Sequence, residues 1–165
     1  MEKEQARDAA LNRQTPRMAE PFVPDDFEVP PDLDLPGMRL EPLCPRHNEI
    51  DHAAWMSSIE HIHATPGFEP GGEDPWPVPM TLEQNLVDLQ GHEADFQARR
   101  GFTYAVMDIA TDDEIGCVYI YPSDDHDARV QSWVRVSRSE VDEPLWRAVS
   151  DWLRRDWPFE RVDYR

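Results

Sequence analysis

The stretch Glu114-Ile115-Gly116-Cys117-Val118-Tyr119-Ile120-Tyr121 decides the fold. It is too short for a core helix and rich in β-branched and aromatic residues, which makes it a strand. Its apolar run is nearly continuous, so the strand is expected to be buried on both faces, in the interior of a sheet. The turn residues Thr111-Asp112-Asp113 precede it, and Phe102–Ile109 before them reads as its hairpin partner. The polar loop Pro122–Asp127 follows. Ala128–Ser137 then predicts a third strand, with Val130, Val134 and Val136 on one face and Trp133 on the other.

Further out, Leu145, Ala148, Val149, Trp152 and Leu153 recur at i, i+3, i+4, i+7 and i+8, the stripe of an amphipathic helix. Pro144 suits its first turn and Pro158 ends it. Glu160–Tyr164 is left as one closing strand. Upstream of the hairpin, Thr81-Leu82-Glu83-Gln84 reads as a capping box, opening a helix with Leu82, Leu86, Leu89 and Phe96 on its apolar side and ending at Gly101. Residues 48–64 predict another helix and Met38–Leu43 a first strand. Between the two helices, Thr65–Met80 holds five Pro and three Gly around Phe68 and Trp76. A loop of that length without periodicity is expected to be a lid, a binding loop or disordered. The order is β-α-α-β-β-β-α-β: an α+β fold with a mixed, mostly antiparallel sheet flanked by helices.

The chain has 165 residues and a formal net charge of −18. That excess argues against nucleic acid or an anionic membrane surface as the partner. Residues 129–165 hold eight Arg against seven carboxylates, so this segment is the least hostile to an anionic ligand. No apolar run of about 18 residues exists to cross a membrane. Met1–Gln5 has no secretory core, so a cytoplasmic setting with reduced cysteines is expected. Residues 1–37, broken by Pro16, Pro21, Pro24, Pro30, Pro31 and Pro36, read as a Pro-rich acidic extension. Residues 2–13 form a short helix in this reading, and Phe22, Val23, Phe27 and Val29 a strap across the domain at 38–165.

Cys44 and Cys117 lack zinc-type spacing, and Cys117 reads as a small buried hydrophobe. The histidines do not pair either. His52 and His63 would lie roughly 16 Å apart along one helix, and His61 and His63 about 200° apart around it. Neither pair can share an ion, so no metal centre is expected.

Element order and two strand motifs, Glu114–Ile120 and Gln131-Ser132-Trp133-Val134-Arg135-Val136, resemble the GNAT N-acetyltransferase superfamily, as does Arg147–Arg155 for the helix that follows. The resemblance covers about residues 38–165 and implies transfer of an acetyl group from acetyl-CoA to a small-molecule or peptide amine. It implies cofactor contacts at Trp133, Val134, Arg135, Val136, Arg138 and Ser139. It also implies an acceptor site on the first two helices and their loop, with Glu60 and His63 as catalytic groups and His61, Phe68 and Trp76 against the substrate. In this reading the segments around Tyr119 and Trp133 are neighbours that part at one end, leaving a slot for the thioester-bearing arm.

Two departures from the family pattern stand beside it. The pyrophosphate loop of the family is glycine-rich, whereas Arg138-Ser139-Glu140-Val141-Asp142-Glu143-Pro144 has no glycine and three carboxylates. A carboxylate about 4–5 Å from a phosphate charge costs roughly 3–4 kcal/mol at an effective dielectric near 20. The family's usual C-terminal helix and strands are also missing from the pattern, which leaves either a minimal version of the family or a partner chain, as in a homodimer, covering the last strand's edge. The alternative to an enzyme is a non-catalytic binding or assembly module that has lost CoA. At the level of residues, Phe68 and Trp76 could equally pin the loop to the core while the histidines face water. Arg129 and Arg135 could equally cover Trp133 with their stems.

Overall fold

The computed structural model describes residues 20–71 and 74–165. Six strands form one sheet in sequence order: β1 (Leu33–Leu35), β2 (Met38–Pro42), β3 (Phe102–Asp108), β4 (Glu114–Tyr121), β5 (Ala128–Val134) and β6 (Val162–Asp163). Neighbours are antiparallel except β5 and β6, which are parallel. Helices α1 (Asn48–Met56), α2 (Ile59–His63) and α3 (Leu82–Gln97) lie between β2 and β3, and α4 (Asp142–Asp156) links β5 to β6. The mixed α+β order is the one expected, with β1 added in front.

Period-two alternation divides the core into two layers. On one face Tyr104, Val118, Ile120, Val130 and Val134 pack with Leu145, Val149, Trp152 and Leu153 of α4. On the other, Ala105, Cys117 and Trp133 pack with Ala54, Trp55 and Leu89 of α1 and α3. β4 is buried on both sides, as its apolar run requires.

The sheet begins upstream of the expected start at Met38. Leu33–Leu35 pairs with Met38–Leu40, turning at Gly37, whose positive φ of 74° favours glycine. Phe22, Val23, Phe27 and Val29 cross the α4 layer as a strap, Val23 being buried. Arg99 donates to the Pro24 and Phe27 carbonyls, and Tyr104 to that of Pro30 at 2.7 Å, which holds the strap down. The helix read at residues 2–13 lies outside the described residues.

Three other elements differ from the sequence reading. The helix expected over 48–64 breaks in two, where Ser57 Oγ donates to Ala54 O and Ser58 N to Trp55 O. Such back-bonding by serine competes with the helical ladder. The third meander strand ends at Val134, and Val136–Val141 turns into a 3₁₀ segment with Val136 exposed.

The third difference concerns the slot. β4 and β5 are zipped from Gly116↔Val134 to Tyr121↔Arg129, so the segments around Tyr119 and Trp133 do not part. The separation lies one strand further on. The β5–β6 ladder reaches only Ala128 and Arg129. Arg135 N donates to Ile115 O, so in this register the backbone of odd-numbered β5 residues faces β4. The N–H and C=O groups of Ser132 and Val134 therefore point the other way, past the end of the β6 pairing. There the contact is side chain to side chain, Ser132 Oγ to Tyr164 Oη at 2.5 Å.

Candidate active site

Two polar stripes meet beneath the sheet. On α3, Asn85, Asp88, His92 and Asp95 recur at i, i+3, i+7 and i+10 and share one helical face. On α1, Asn48, Asp51 and Trp55 do the same. Asn85 ties the two together, donating to Asn48 Oδ1 and Asp51 Oδ2 at 3.0 Å each and accepting from Trp55 Nε1 at 3.0 Å. The capping box at the start of α3 is present, with Gln84 N to Thr81 Oγ1 at 3.1 Å and Thr81 N to Gln84 Oε1 at 2.9 Å.

The Pro-rich loop closes over this polar seam. Phe68 and Trp76 stack edgewise on each other and on Tyr119, and Trp76 also packs on Trp55 and Trp133. Gln131 Nε2 of β5 donates to Gly67 O at 2.5 Å, fastening the loop to the sheet. Between loop, α1, α3 and sheet lies a cavity of about 660 Å³. Its walls hold Trp55, Phe68, Trp76, Tyr119 and Tyr121, and four carboxylates, Asp51, Asp74, Asp88 and Asp95. No Arg or Lys is among the described residues that line it. A cavity with that charge and those ring faces suits a cation with an apolar body.

One imidazole sits among the acids. His92 Nδ1 is 3.0 Å from both Tyr121 Oη and Thr103 Oγ1, and Tyr121 Oη donates to Asp95 Oδ2 at 3.0 Å. With the tyrosine proton committed to Asp95, Tyr121 Oη accepts from Nδ1–H, which leaves Nε2 as the ring's proton acceptor. Burial pushes His92 below its ordinary pKa of 6.5, against the opposing pull of Asp51, Asp88 and Asp95. Burial likewise lifts Asp88, and it lifts Tyr121 to about 12. The imidazole is thus kept neutral and the phenol protonated at neutral pH.

Behind Asp51 lies a second, deeper group. Glu114 and Cys117 bring ligand atoms to within 4.8 Å of Asp51 and of each other, and all three residues are buried. Three positions apart on a strand, Glu114 and Cys117 should face opposite ways. The β3–β4 register shifts between Val106 and Met107, so Glu114 opposes Met107 while Gly116 opposes Val106. That bulge turns Glu114 to the face of Cys117.

The residues singled out from sequence fall on both sides of this outcome. Phe68 and Trp76 line the cavity; Glu60, His61 and His63 do not. Glu60 is exposed on α2, and His61 and His63 are half-buried away from the cavity. Trp133 is fully buried in the layer with Ala105, Cys117 and Trp55, donating from Nε1 to Tyr119 Oη at 2.9 Å, so its ring is part of the core rather than an exposed platform. Val134 packs under α4. Arg135 bonds Asp113 at 2.9 Å, and Arg138 bonds Asp108 and Glu140, so both guanidinium groups already hold carboxylates. Ser139 and Val136 are exposed. What β5 offers an extended ligand is backbone, at Ser132 and Val134.

The three carboxylates of the acidic loop are all paired. Glu140 is paired with Arg138 at 3.1 Å and Glu143 with Arg147 at 2.6 Å, and Asp142 holds Arg165 through two bonds of 2.7 Å. The segment fits the end of an extended arm poorly as a phosphate cradle, since it lacks the small residues that let backbone amides close on phosphate.

His92 and its stripe escaped the sequence reading, although the signal was there. Asn85, Asp88, His92 and Asp95 alternate with the apolar positions of α3, and a polar stripe on a buried helix is as informative as an apolar one.

A meander with its antiparallel strands, a crossover helix and a final parallel strand that pairs with its neighbour only at Ala128 and Arg129 is a fold shared with solved GNAT-family acetyltransferases. Solved structures agree. The chain matches the ribosomal-protein-S5-alanine acetyltransferase from Vibrio fischeri with TM-score 0.62 at 16% identity, over 82% of this chain and 72% of that one. It matches the ribosomal L7/L12 alpha-N-protein acetyltransferase RimL with TM-score 0.56 at 13% identity, over 81% and 70%. It also matches the microcin C7 self-immunity acetyltransferase MccE, in complex with acetyl-CoA and AMP, with TM-score 0.59 at 11% identity, over 76% and 66%. At such identities the likeness is one of fold. No protein-family model and no curated protein matches. No helix among the described residues is long and apolar enough to cross a membrane.

Proposed function

We propose that the protein transfers an acetyl group from acetyl-CoA to an amine that enters the cavity as a cation. The observation that carries this reading is the meeting of two features at β5. Its Gln131 side lines the acidic, aromatic cavity, and its neighbours Ser132 and Val134 turn unpaired backbone toward the gap beside β6. Bound there, acetyl-CoA supplies an activated thioester carbonyl. The chain's own residues do the rest. Asp88 and Asp95 attract the ammonium, and the ring faces of Trp76 and Tyr119 hold its apolar body. His92, neutral and with Nε2 unprotonated, takes the proton that the amine must lose before it attacks. Tyr121 and Asp95 hold the imidazole in the required tautomer.

Glu60 and His63 have no part in this reading, since neither reaches the cavity. The acceptor that fits is a small-molecule or peptide amine whose apolar part can lie against Val78 and Met80 in the cavity wall.

The test is acetyl-CoA turnover, followed by release of free thiol, against a panel of amines and their neutral isosteres. Thermal melting with acetyl-CoA accompanies it. Saturation at a hundred times the Kd adds about 2.7 kcal/mol, or about 5–10 °C for a domain of this size. A cooperative melt that does not move, with no thiol release, favours the non-catalytic binding module instead.

A further inference from the structure

We propose that Asp51, Glu114 and Cys117 form a buried site for a divalent cation of the zinc type, reached from the cavity past Asp51.

The geometry has three independent parts. One oxygen of each carboxylate and the Cys117 sulfur lie within 4.8 Å of one another, with Cys117 Sγ 3.7 Å from Asp51 Oδ1. Around a tetrahedral zinc, with bonds of about 2.0–2.3 Å, donor atoms sit roughly 3.3–3.8 Å apart. The observed triangle therefore closes with side-chain shifts of about an ångström. The β-bulge in β4 is the device that aims Glu114 at Cys117, and bulges are concentrated where a side chain is re-aimed for use.

The second part is an unmet demand. Glu114 is fully buried, and neither of its carboxylate oxygens has a hydrogen-bond partner. A buried polar group in that state is expensive unless something bonds it. Arg135 is the neighbouring cation, but its guanidinium bonds Asp113, with a 3.5 Å contact to the backbone carbonyl of Glu114. What the carboxylate itself faces is Asp51, close enough for the two acids to share a proton in the metal-free protein, and no N–H or hydroxyl donor meets it.

The third part is the surrounding support. Asp51 Oδ2 accepts from Asn85, and Asn85 is held by Trp55, so the Asp51 side chain is fixed with Oδ1 turned to the thiol. Metal ligands are oriented by such outer hydrogen bonds. Two carboxylate oxygens and one sulfur suit zinc, whereas calcium and magnesium take oxygen alone. Asp51 also lines the cavity, so an ion has an entry path and a fourth position open to solvent or ligand.

The full chain, stripped with a chelator, is titrated with Zn²⁺ by calorimetry and with Co²⁺ by absorption spectroscopy. Expected are one ion per chain, a rise in melting temperature with Zn²⁺, and a near-ultraviolet thiolate-to-cobalt band. That band persists in Cys44→Ser and disappears in Cys117→Ser. Glu114→Gln, which keeps the shape of the side chain, weakens Zn²⁺ binding at least about tenfold while its metal-free melt stays cooperative. Absence of stoichiometric binding overturns the site, as does a cobalt spectrum without the thiolate band or a band that depends on Cys44. In those cases Glu114 and Asp51 share a proton or a buried water. The readouts do not involve acetyl transfer, so the site stands or falls separately from the proposed activity.

Discussion

Trp133 Nε1 donates to Tyr119 Oη at 2.9 Å across the β4–β5 boundary, joining a buried indole to a half-buried phenol on the same face of the sheet. This bond lies where a parting of strands was expected. It marks that boundary as sealed core, with Trp76 of the loop stacked against both rings.

Tyr119→Phe leaves the buried indole N–H without its acceptor. The expected cost is about 1–3 kcal/mol, read as a lower urea midpoint with an unchanged slope. A midpoint equal to wild type would mean that the indole is satisfied elsewhere.

Gly116 has no room for a methyl group, because a Cβ there would sit 2.2 Å from the Trp133 carbonyl oxygen. Since the neighbour is backbone in the zipped ladder, Gly116→Ala is expected to cost about 2–3 kcal/mol. Chemical denaturation measures it. Gly91, with nothing within 4 Å of its Cβ position, is the control and should tolerate alanine.

Burial raises the pKa of Glu114 well above its ordinary 4.5, with Asp51 adding to the rise. In the metal-free protein the unfolded chain therefore loses this proton near pH 4.5 while the folded chain keeps it. Stability is fully present below that pH and falls as pH rises toward the folded pKa. Glu114→Gln removes this contribution, so its advantage over wild type should grow from pH 4.5 upward. Parallel denaturation curves at several pH values would expose a constant difference, which contradicts the assignment.

The lowered pKa of His92 carries a kinetic signature. The acid limb of kcat/KM should fall at a pH below 6.5, because the imidazole stays neutral under mildly acidic conditions. His92→Gln should lower turnover about 10²–10⁴-fold. Retention of both the rate and the limb would move the base elsewhere.

Glu140 bonds Arg138 in an exposed pair. Removing that charge with Glu140→Gln, which leaves Arg138 on Asp108, should tighten acetyl-CoA binding by at most about fivefold, the scale of a surface ion pair. Calorimetry against wild type measures the difference. A gain of a hundredfold would show the carboxylate to be a direct obstacle to the phosphates.

Local patterning accounts for what was legible beforehand. β4, the first part of β5, α3 and α4 are visible because each buries a periodic set of side chains, and Phe68 and Trp76 stand out as bulky rings in a loop of Pro and Gly. Glu60 and His63 lie off the cavity, on α2, beyond the break at Ser57–Ser58 in the helix expected to carry them. Glu114 was invisible as a partner for Cys117 because a bulge is set by the register between two strands.

Amino-acid order alone determined the α+β class, the meander, the crossover helix and the acidic net charge, since periodicity and charge are properties of the sequence itself. Tertiary structure decided where the sheet opens, which histidine meets the carboxylates, and that Asp142 at the start of α4 is held by Arg165. Those outcomes depend on residues tens of positions apart, such as Asp51 with Asn85 and Asp142 with Arg165, which only the packing of helices on a twisted sheet brings within bonding distance.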